Sequence, residues 1–296
     1  MKNKSALFRS ILALVFFSYG SLAWSACQNT GVQLQILGSG GPGNSAGRAS
    51  SAYLLWIDGQ APIMIDAGSG SKDQFHQSGA TLENIEILGL SHLHPDHSSG
   101  LPGILWPAGG SFNIAGPDAN GVFPGIEEFL ERLFGDSGAF AVLNERTEFD
   151  VISLNSKSNS TQEVWSAGDI KITARGVPHG DVPTLAYRVE IGDVSIAFTS
   201  DQNGSDPSFI DFIRDVDVLV IHLAVGEDVS GGLSLLHAKP SVWGQMAASA
   251  NVGHLVASHI SAASPQLLTD RLSIVRDNYD GQITAAEDLT CVNLLP

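Results

Sequence analysis

The chain has 296 residues, a formal net charge of −16 and 43% hydrophobic residues. That apolar content supports a sizeable buried core and excludes wholesale disorder. A surface this acidic repels phosphate backbones and anionic lipid, which argues against a general nucleic-acid binder.

Lys2, Lys4 and Arg9 precede an almost wholly apolar run over residues 11–24, closed by Ser25 and Ala26. A basic segment, an apolar segment and a small-residue zone in that order describe a secretory signal over residues 1–26. The run is too short for a membrane span, which takes about 20 residues. Cleavage removes three positive charges and takes the net charge from −16 to −19. The expectation is a periplasmic or secreted protein whose residues 27–296 form one domain. Cys27 and Cys291 are the only cysteines. In an oxidising compartment they suggest one disulfide pinning the two ends. The alternative is a lipoprotein acylated on Cys27, although Trp24 stands where such signals carry an aliphatic residue.

Short apolar runs separated by Gly, Ser and Asp predict strands over 32–37, 51–57, 62–65 and 84–90. Residues 125–134 predict an amphipathic helix with Ile126, Phe129, Leu130, Leu133 and Phe134 on one face. Residues 155–163 are a polar loop, and strands follow over 170–177, 185–191, 194–199 and 216–221. A helix over 240–250, a strand over 255–258, a helix capped by Ser264-Pro265 and running to about 279, and a closing strand within 284–295 complete the series. Such alternation suggests sheets covered by helices. Residues 38–43 match G-x-G-x-x-G, but Pro42 and Gly43 lead to a polar loop and a strand rather than a helix. A dinucleotide site needs that helix, so the cluster reads as a hairpin loop.

His92, His94, Asp96 and His97 stand within six residues, directly after a predicted strand. Three imidazoles and a carboxylate crowded together desolvate one another unless something binds them. Imidazole and carboxylate donors suit Zn²⁺ or a similar divalent ion. His179, Asp201 and His259 each follow a strand as well, and strand ends on one sheet edge are where ligands bind.

Taken with Gly38–Pro42, Asp66–Gly68, Ser200-Asp201 and Ser258-His259 in that order, the chain resembles the metallo-β-lactamase superfamily, and within it the ribonuclease Z and secreted arylsulfatase branch. The resemblance covers nearly the whole of residues 27–296. It implies an α/β fold, a four-layer αββα sandwich with a dinuclear metal site at the strand ends. His92, His94 and His179 would hold one metal, Asp96, His97 and His259 the second, and Asp201 would bridge them. Two Zn²⁺ ions are implied, with Mn²⁺ or Fe as alternatives. Asp66 reads as orienting a ligand or as a turn former, and His222 as a core residue or a residue behind the ligands. His237, before a predicted helix, is similar to a ribonuclease Z histidine that assists the leaving group. This sequence departs from that pattern at Leu223, where Glu follows the histidine, and at Ala238, where Ser is expected. His76 and His254 read as surface residues. Trp106 and Phe112 are candidates for an aryl wall.

The expected activity is hydrolysis of small phosphodiester or aryl sulfate esters by a metal-activated water, with Asp96, Asp201 and His237 as catalytic residues. Alternatives are hydrolysis of a lactone or β-lactam, and metal binding without catalysis. The expected substrate is a small molecule, with no nucleic acid and no membrane span, and a homodimer is in keeping with the branch.

Overall fold

A computed structural model describes residues 27, 30–43 and 45–294. The expected signal segment, residues 1–26, lies outside them. The strands fall into two sheets. The first holds β1 (Val32–Gly38), β2 (Ala52–Ile57), β3 (Gln60–Ala67), β4 (Ile87–Gly89), β5 (Gly110–Pro117) and β6 (Thr147–Leu154). The second holds β7 (Gln162–Ala167), β8 (Ile170–Gly176), β9 (Leu185–Ile191), β10 (Val194–Phe198), β11 (Val218–His222), β12 (His254–Ser258) and β13 (Gln282–Ala285). The last strand, β14 (Cys291–Asn293), returns to pair with β1. The two seven-stranded sheets run in the orders β14-β1-β2-β3-β4-β5-β6 and β13-β12-β11-β10-β9-β8-β7.

Strand alternation sends one set of side chains between the sheets and the other set outward. Leu34, Ile36, Tyr53 and Ile65 of the first sheet meet Ile172, Tyr187, Ile196 and Phe198 of the second in the central core. The outward set is covered by helices. On the first sheet these are α1 (Ser71–Ser78), α2 (Pro95–Ser98), α3 (Leu101–Leu105) and α4 (Ile126–Phe134). Phe75, Leu101, Leu105, Ile126 and Leu130 join that layer to Leu54, Met64 and Leu88. On the second sheet lie α5 (Phe209–Phe212), α7 (Pro240–Ser249) and α8 (Pro265–Arg276), while the short α6 (Gly232–Leu236) buries no residue. Phe209, Trp243, Met246 and Val275 pack there against Leu219 and Leu255. The result is the αββα sandwich. Cys27 and Cys291 form a disulfide, which ties the chain ahead of β1 to β14.

Several boundaries differ from the pattern in the sequence. The expected strand over 84–90 shrinks to Ile87–Gly89, because Leu82–Asn84 closes a 3₁₀ turn. The closing segment supplies two strands in different sheets, and the helix after Ser264 stops at Arg276. Ser264 does cap it, its hydroxyl accepting from the Leu267 N–H at 3.3 Å. β6 is an edge strand with irregular burial, so its sequence carries no clean period of two. The hairpin loop after β1 stands as expected between antiparallel β1 and β2.

Candidate metal centre

Strand direction brings the functional residues to one edge. β8 and β10 are both antiparallel to β9, while β10, β11 and β12 run parallel. The chain therefore leaves β8, β10, β11 and β12 on the same side, carrying His179, Asp201, His222 and His259 there. In the first sheet β3 and β4 are parallel, so Asp66 and the segment 90–97 reach the matching edge. The two edges are tied together: the Leu185 N–H donates to Ser91 O at 2.8 Å and the Tyr187 hydroxyl to Leu90 O at 3.0 Å.

Two donor groups result. His92, His94, His179 and Asp201 form one, and His97, Asp201, His222 and His259 the other, each with its donor atoms within 4.8 Å of one another. Asp201 belongs to both. Its Oδ2 lies 3.9 Å from His92 Nε2, 3.7 Å from His97 Nε2 and 3.8 Å from His179 Nε2. Its Oδ1 lies 3.4 Å from His259 Nε2. Asp96 adds a carboxylate to the second group, with Oδ2 at 3.2 Å from His259 Nε2 and 3.6 Å from His97 Nε2. His92 Nε2 and His94 Nδ1 point at each other across 3.0 Å. Three side chains have buried ring nitrogens on this cluster without any hydrogen-bond partner: His97 Nε2, His179 Nε2 and His237 Nδ1. Buried polar atoms are rarely left unpaired, so inward-facing orphans among nitrogen and oxygen donors fit a pair of divalent ions.

The opposite ring nitrogens of His97 and His179 are engaged, while His259 Nδ1 is buried beside Gly41 without a partner. His97 Nδ1 meets Asp66 Oδ2 at 2.8 Å, and His179 Nδ1 meets Leu236 O at 2.8 Å. Outer partners of this kind fix the tautomer and aim the free nitrogen inward. Asp66 is itself held by the Ser91 N–H at 2.7 Å and the Ser91 hydroxyl at 2.9 Å. Of its two readings, orienting a histidine is therefore the one the geometry supports. His222 spends Nδ1 on Asp201 Oδ1 at 2.7 Å, and its Nε2 lies 3.2 Å from the Tyr53 hydroxyl. With both ring nitrogens engaged, it stands in the second donor group as the residue that steers Asp201.

The backbone is crowded to match. Asp66, Ser200 and His259 have φ of 57°, 56° and 50°, in the left-handed region that ordinary residues avoid. Such strain persists where surrounding contacts over-determine the backbone, and it gathers at functional sites. A Cβ on Gly68 would lie 2.1 Å from Asp96 O, and one on Gly41 would lie 2.6 Å from His259 Cε1. Gly41, inside the segment that mimics a nucleotide motif, thus lets the chain approach the donor cluster closely.

Protonation favours ligation. Burial, reinforced by His97, holds His92 well below the usual imidazole range, and burial also lowers His94 and His179. Asp201 is buried, which alone would raise it, yet His259, His222 and His97 hold it far below the carboxylate range. Asp96 behaves likewise and falls to about 2, chiefly through His259 acting against burial. His97 goes the other way: burial opposes its charge, but Asp66 and Asp201 raise it well above the usual value. An ion entering the second group has a proton to displace there.

Every residue singled out in the sequence as a ligand reaches this cluster. His237 reaches its rim, with Nδ1 at 3.9 Å from Asp201 Oδ2. Phe112 does not. It is buried in the outer core of the first sheet, 5.5 Å centroid to centroid from Phe149, so it walls no site. Trp106 is 44% exposed on a groove. His76 is exposed, whereas His254 opens β12 half-buried, 2.9 Å from Thr284 Oγ1. The supports Ser91, Tyr53 and the Leu236 carbonyl carried no sequence signal, because their roles depend on chain segments far apart.

A family model described as a beta-lactamase superfamily domain matches residues 62–260, and the chain belongs to that superfamily. Ribonuclease Z of Kineococcus radiotolerans is 25% identical over 280 residues, covering 79% of this chain and 85% of its own. Among solved structures, the metallo-beta-lactamase fold protein YhfI from Bacillus subtilis superposes with a TM-score of 0.70 at 21% identity, covering 88% of this chain and 98% of its own. Zn²⁺-bound PqqB from Methylobacterium extorquens superposes with a TM-score of 0.66 at 17% identity, covering 88% and 100%. Family and donor cluster together support a metal-dependent hydrolase. No helix among the described residues is long and apolar enough to cross a membrane.

Proposed function

We propose that the chain is an exported, dinuclear zinc hydrolase of small phosphodiester or aryl sulfate esters. The observation that carries the reading is the single carboxylate, Asp201, shared by two donor groups, with the unpartnered Nε2 atoms of His97 and His179 turned toward it. In this reading His92, His94 and His179 would hold one ion, Asp96, His97 and His259 the other, and Asp201 would serve both. The nitrogen-rich donor set suits zinc, with Mn²⁺ or Fe as alternatives. Two such ions supply Lewis-acid polarisation of water and of the ester oxygen.

The protein groups do the rest. Asp201, kept ionised and steered by His222, accepts a hydrogen bond from the attacking water, and Asp96 assists on the second side. Burial first, and His259 and His179 after it, push His237 down to about 4, so at neutral pH it is an uncharged imidazole. Its unpartnered Nδ1 makes it the candidate for contacting the ester and for relaying to the leaving group the proton given up by the attacking water. The ribonuclease Z relative favours a phosphodiester. The net charge of −16 and the signal-like residues 1–26 favour a small exported substrate over RNA.

The test is turnover by zinc-loaded protein of bis(p-nitrophenyl) phosphate, p-nitrophenyl sulfate, a simple lactone and a β-lactam. Asp201→Ala serves as the control. Hydrolysis of the phosphodiester or sulfate, lost in the control, is the expected result. Turnover of the lactone or β-lactam alone would move the reaction to carbonyl substrates. Metal binding with silence on all four would favour the non-catalytic alternative.

A further inference from the structure

The loop His94-Pro95-Asp96 separates two cavities of opposite character. His94 and Asp96 are only half-buried, whereas His92, His97, His179, Asp201 and His259 are buried, so the centre opens to solvent over these two residues. On the Asp96 side lies a polar cleft of about 660 Å³, with Arg48, Ser50, Ser69, Asp73 and Gln74 in its wall. On the His94 side lies a tighter niche of about 110 Å³, whose wall beyond His94 is apolar: Leu93, Pro117, Phe123, Phe129 and Pro183 among others. The Asn120 side-chain amide donates to Asp181 O at 2.8 Å, which ties together the two loops that wall the niche. Beyond it, past Leu93 and Phe129, which line both spaces, runs an apolar groove of about 680 Å³ bordered by Trp106, Phe140 and Val142.

We infer that the niche is a specificity subsite for one ring-sized apolar group of the substrate, so that the ester is apolar on its His94 side and polar on its Asp96 side. The inference rests on the proposed reading of the centre as an ester hydrolase. Three observations carry it. The niche begins at a residue of the donor cluster, so whatever fills it is within reach of the centre. Its walls offer no charged partner for a phosphate or a sugar. An apolar void of about 150 Å³ takes up benzene, and this one is of that order. Leu93 and Phe129 stand between it and the groove beyond.

The experiment is calorimetric binding of phenylphosphonate and methylphosphonate to zinc-loaded protein, alongside the ester panel. A filled apolar pocket discriminates by at least about tenfold, so phenylphosphonate is expected to bind at least about tenfold more tightly. Val182→Trp, which fills the niche from a half-exposed loop position, is expected to bring the phenyl-to-methyl ratio close to one. Phe129→Ala is expected to open the niche to the groove and shift preference toward 4-biphenylphosphonate. Equal affinities in the unaltered protein, or binding of neither phosphonate, would overturn the subsite whatever the esters show. An unchanged ratio in Val182→Trp would overturn its location. Phenyl preference with a silent ester panel would uphold the niche and count only against the hydrolase reading.

Discussion

The first-sheet side of the centre takes His92, His94, Asp96 and His97 from a single turn, whereas the second-sheet side takes His179, Asp201, His222 and His259 from the ends of four different strands. The first side is set by local geometry. One carboxylate, Asp66, and one hydroxyl, Ser91, hold the turn. The second side is set by register, because each residue stands where it does only if β8, β10, β11 and β12 pair correctly. A single polar substitution can disturb the first side, while the second fails only when its joining residue is lost or the sheet itself loosens.

Asp201→Ala gives the largest effect, because Asp201 is the residue on which both sides depend. Its loss leaves buried histidines with no shared anion. Activity is expected to fall by orders of magnitude and bound metal to drop below two ions per chain, with the circular dichroism spectrum unchanged. Elemental analysis beside turnover checks this. Two tightly held ions in the variant would show that the sides assemble independently.

Asp66→Asn probes the first side alone. The substitution keeps the shape but takes away the anion that fixes His97. Replacing such an outer partner typically costs about 10- to 100-fold in metal affinity or activity. The expected signature is weaker zinc retention during chelator titration, with the second-sheet donors unaffected. An affinity equal to that of the unaltered protein would reduce Asp66 to a turn former.

The same contrast explains what was legible in the sequence. His92, His94, Asp96 and His97 announce themselves because four donors in one turn have no bland explanation. His179, Asp201 and His259 became readable only through their placement after strands and their order along the chain. The sequence alone leaves His222 between two roles, since only the fold shows both its ring nitrogens engaged, by Asp201 and by Tyr53. The sandwich was legible from the strands with regular alternation. β5, β6 and β7 are not, because Gly110, Gly116 and Pro117 at the ends of the first leave it only a short apolar run, and exposed or half-exposed residues blur the other two. Residues Ser71–Ser78 hid a helix because only Ser71, Phe75 and Ser78 are buried, too few apolar positions for a helical stripe.

The disulfide tests stability outside both sides. Cys27 and Cys291 lie 264 positions apart, so the covalent loop spans nearly the whole fold. In the chain-entropy model a closure of that length contributes up to about 5 kcal/mol. A Cys27→Ser, Cys291→Ser double variant is expected to melt well below the unaltered protein while keeping its metal and its turnover rate at low temperature. An unchanged melting temperature would mean that the β1–β14 pairing alone holds that edge.

The smallest expected effect concerns the loop that carries Asp201. Arg175 on β8 is 3% exposed and donates to Ser208 O at 3.0 Å and Ser208 Oγ at 3.1 Å, while also pairing with Asp206. This clamp fastens the segment after β10 to the strand that leads to His179. Burial disfavours charge on Asp206, but hydrogen bonds from Ser208 and the Arg175 guanidinium outweigh it and hold the carboxyl below its ordinary value. A carboxyl with a depressed folded pKa stabilises above its unfolded value, about 3.9, and that stability fades as pH falls through the folded value. Asp206→Asn is therefore expected to melt slightly below the unaltered protein at neutral pH, with the gap narrowing in acid below about pH 4. A gap that persisted undiminished at pH 3 would assign the effect to the geometry of the side-chain amide rather than to the ion pair. The second-sheet side would then owe its alignment to register alone.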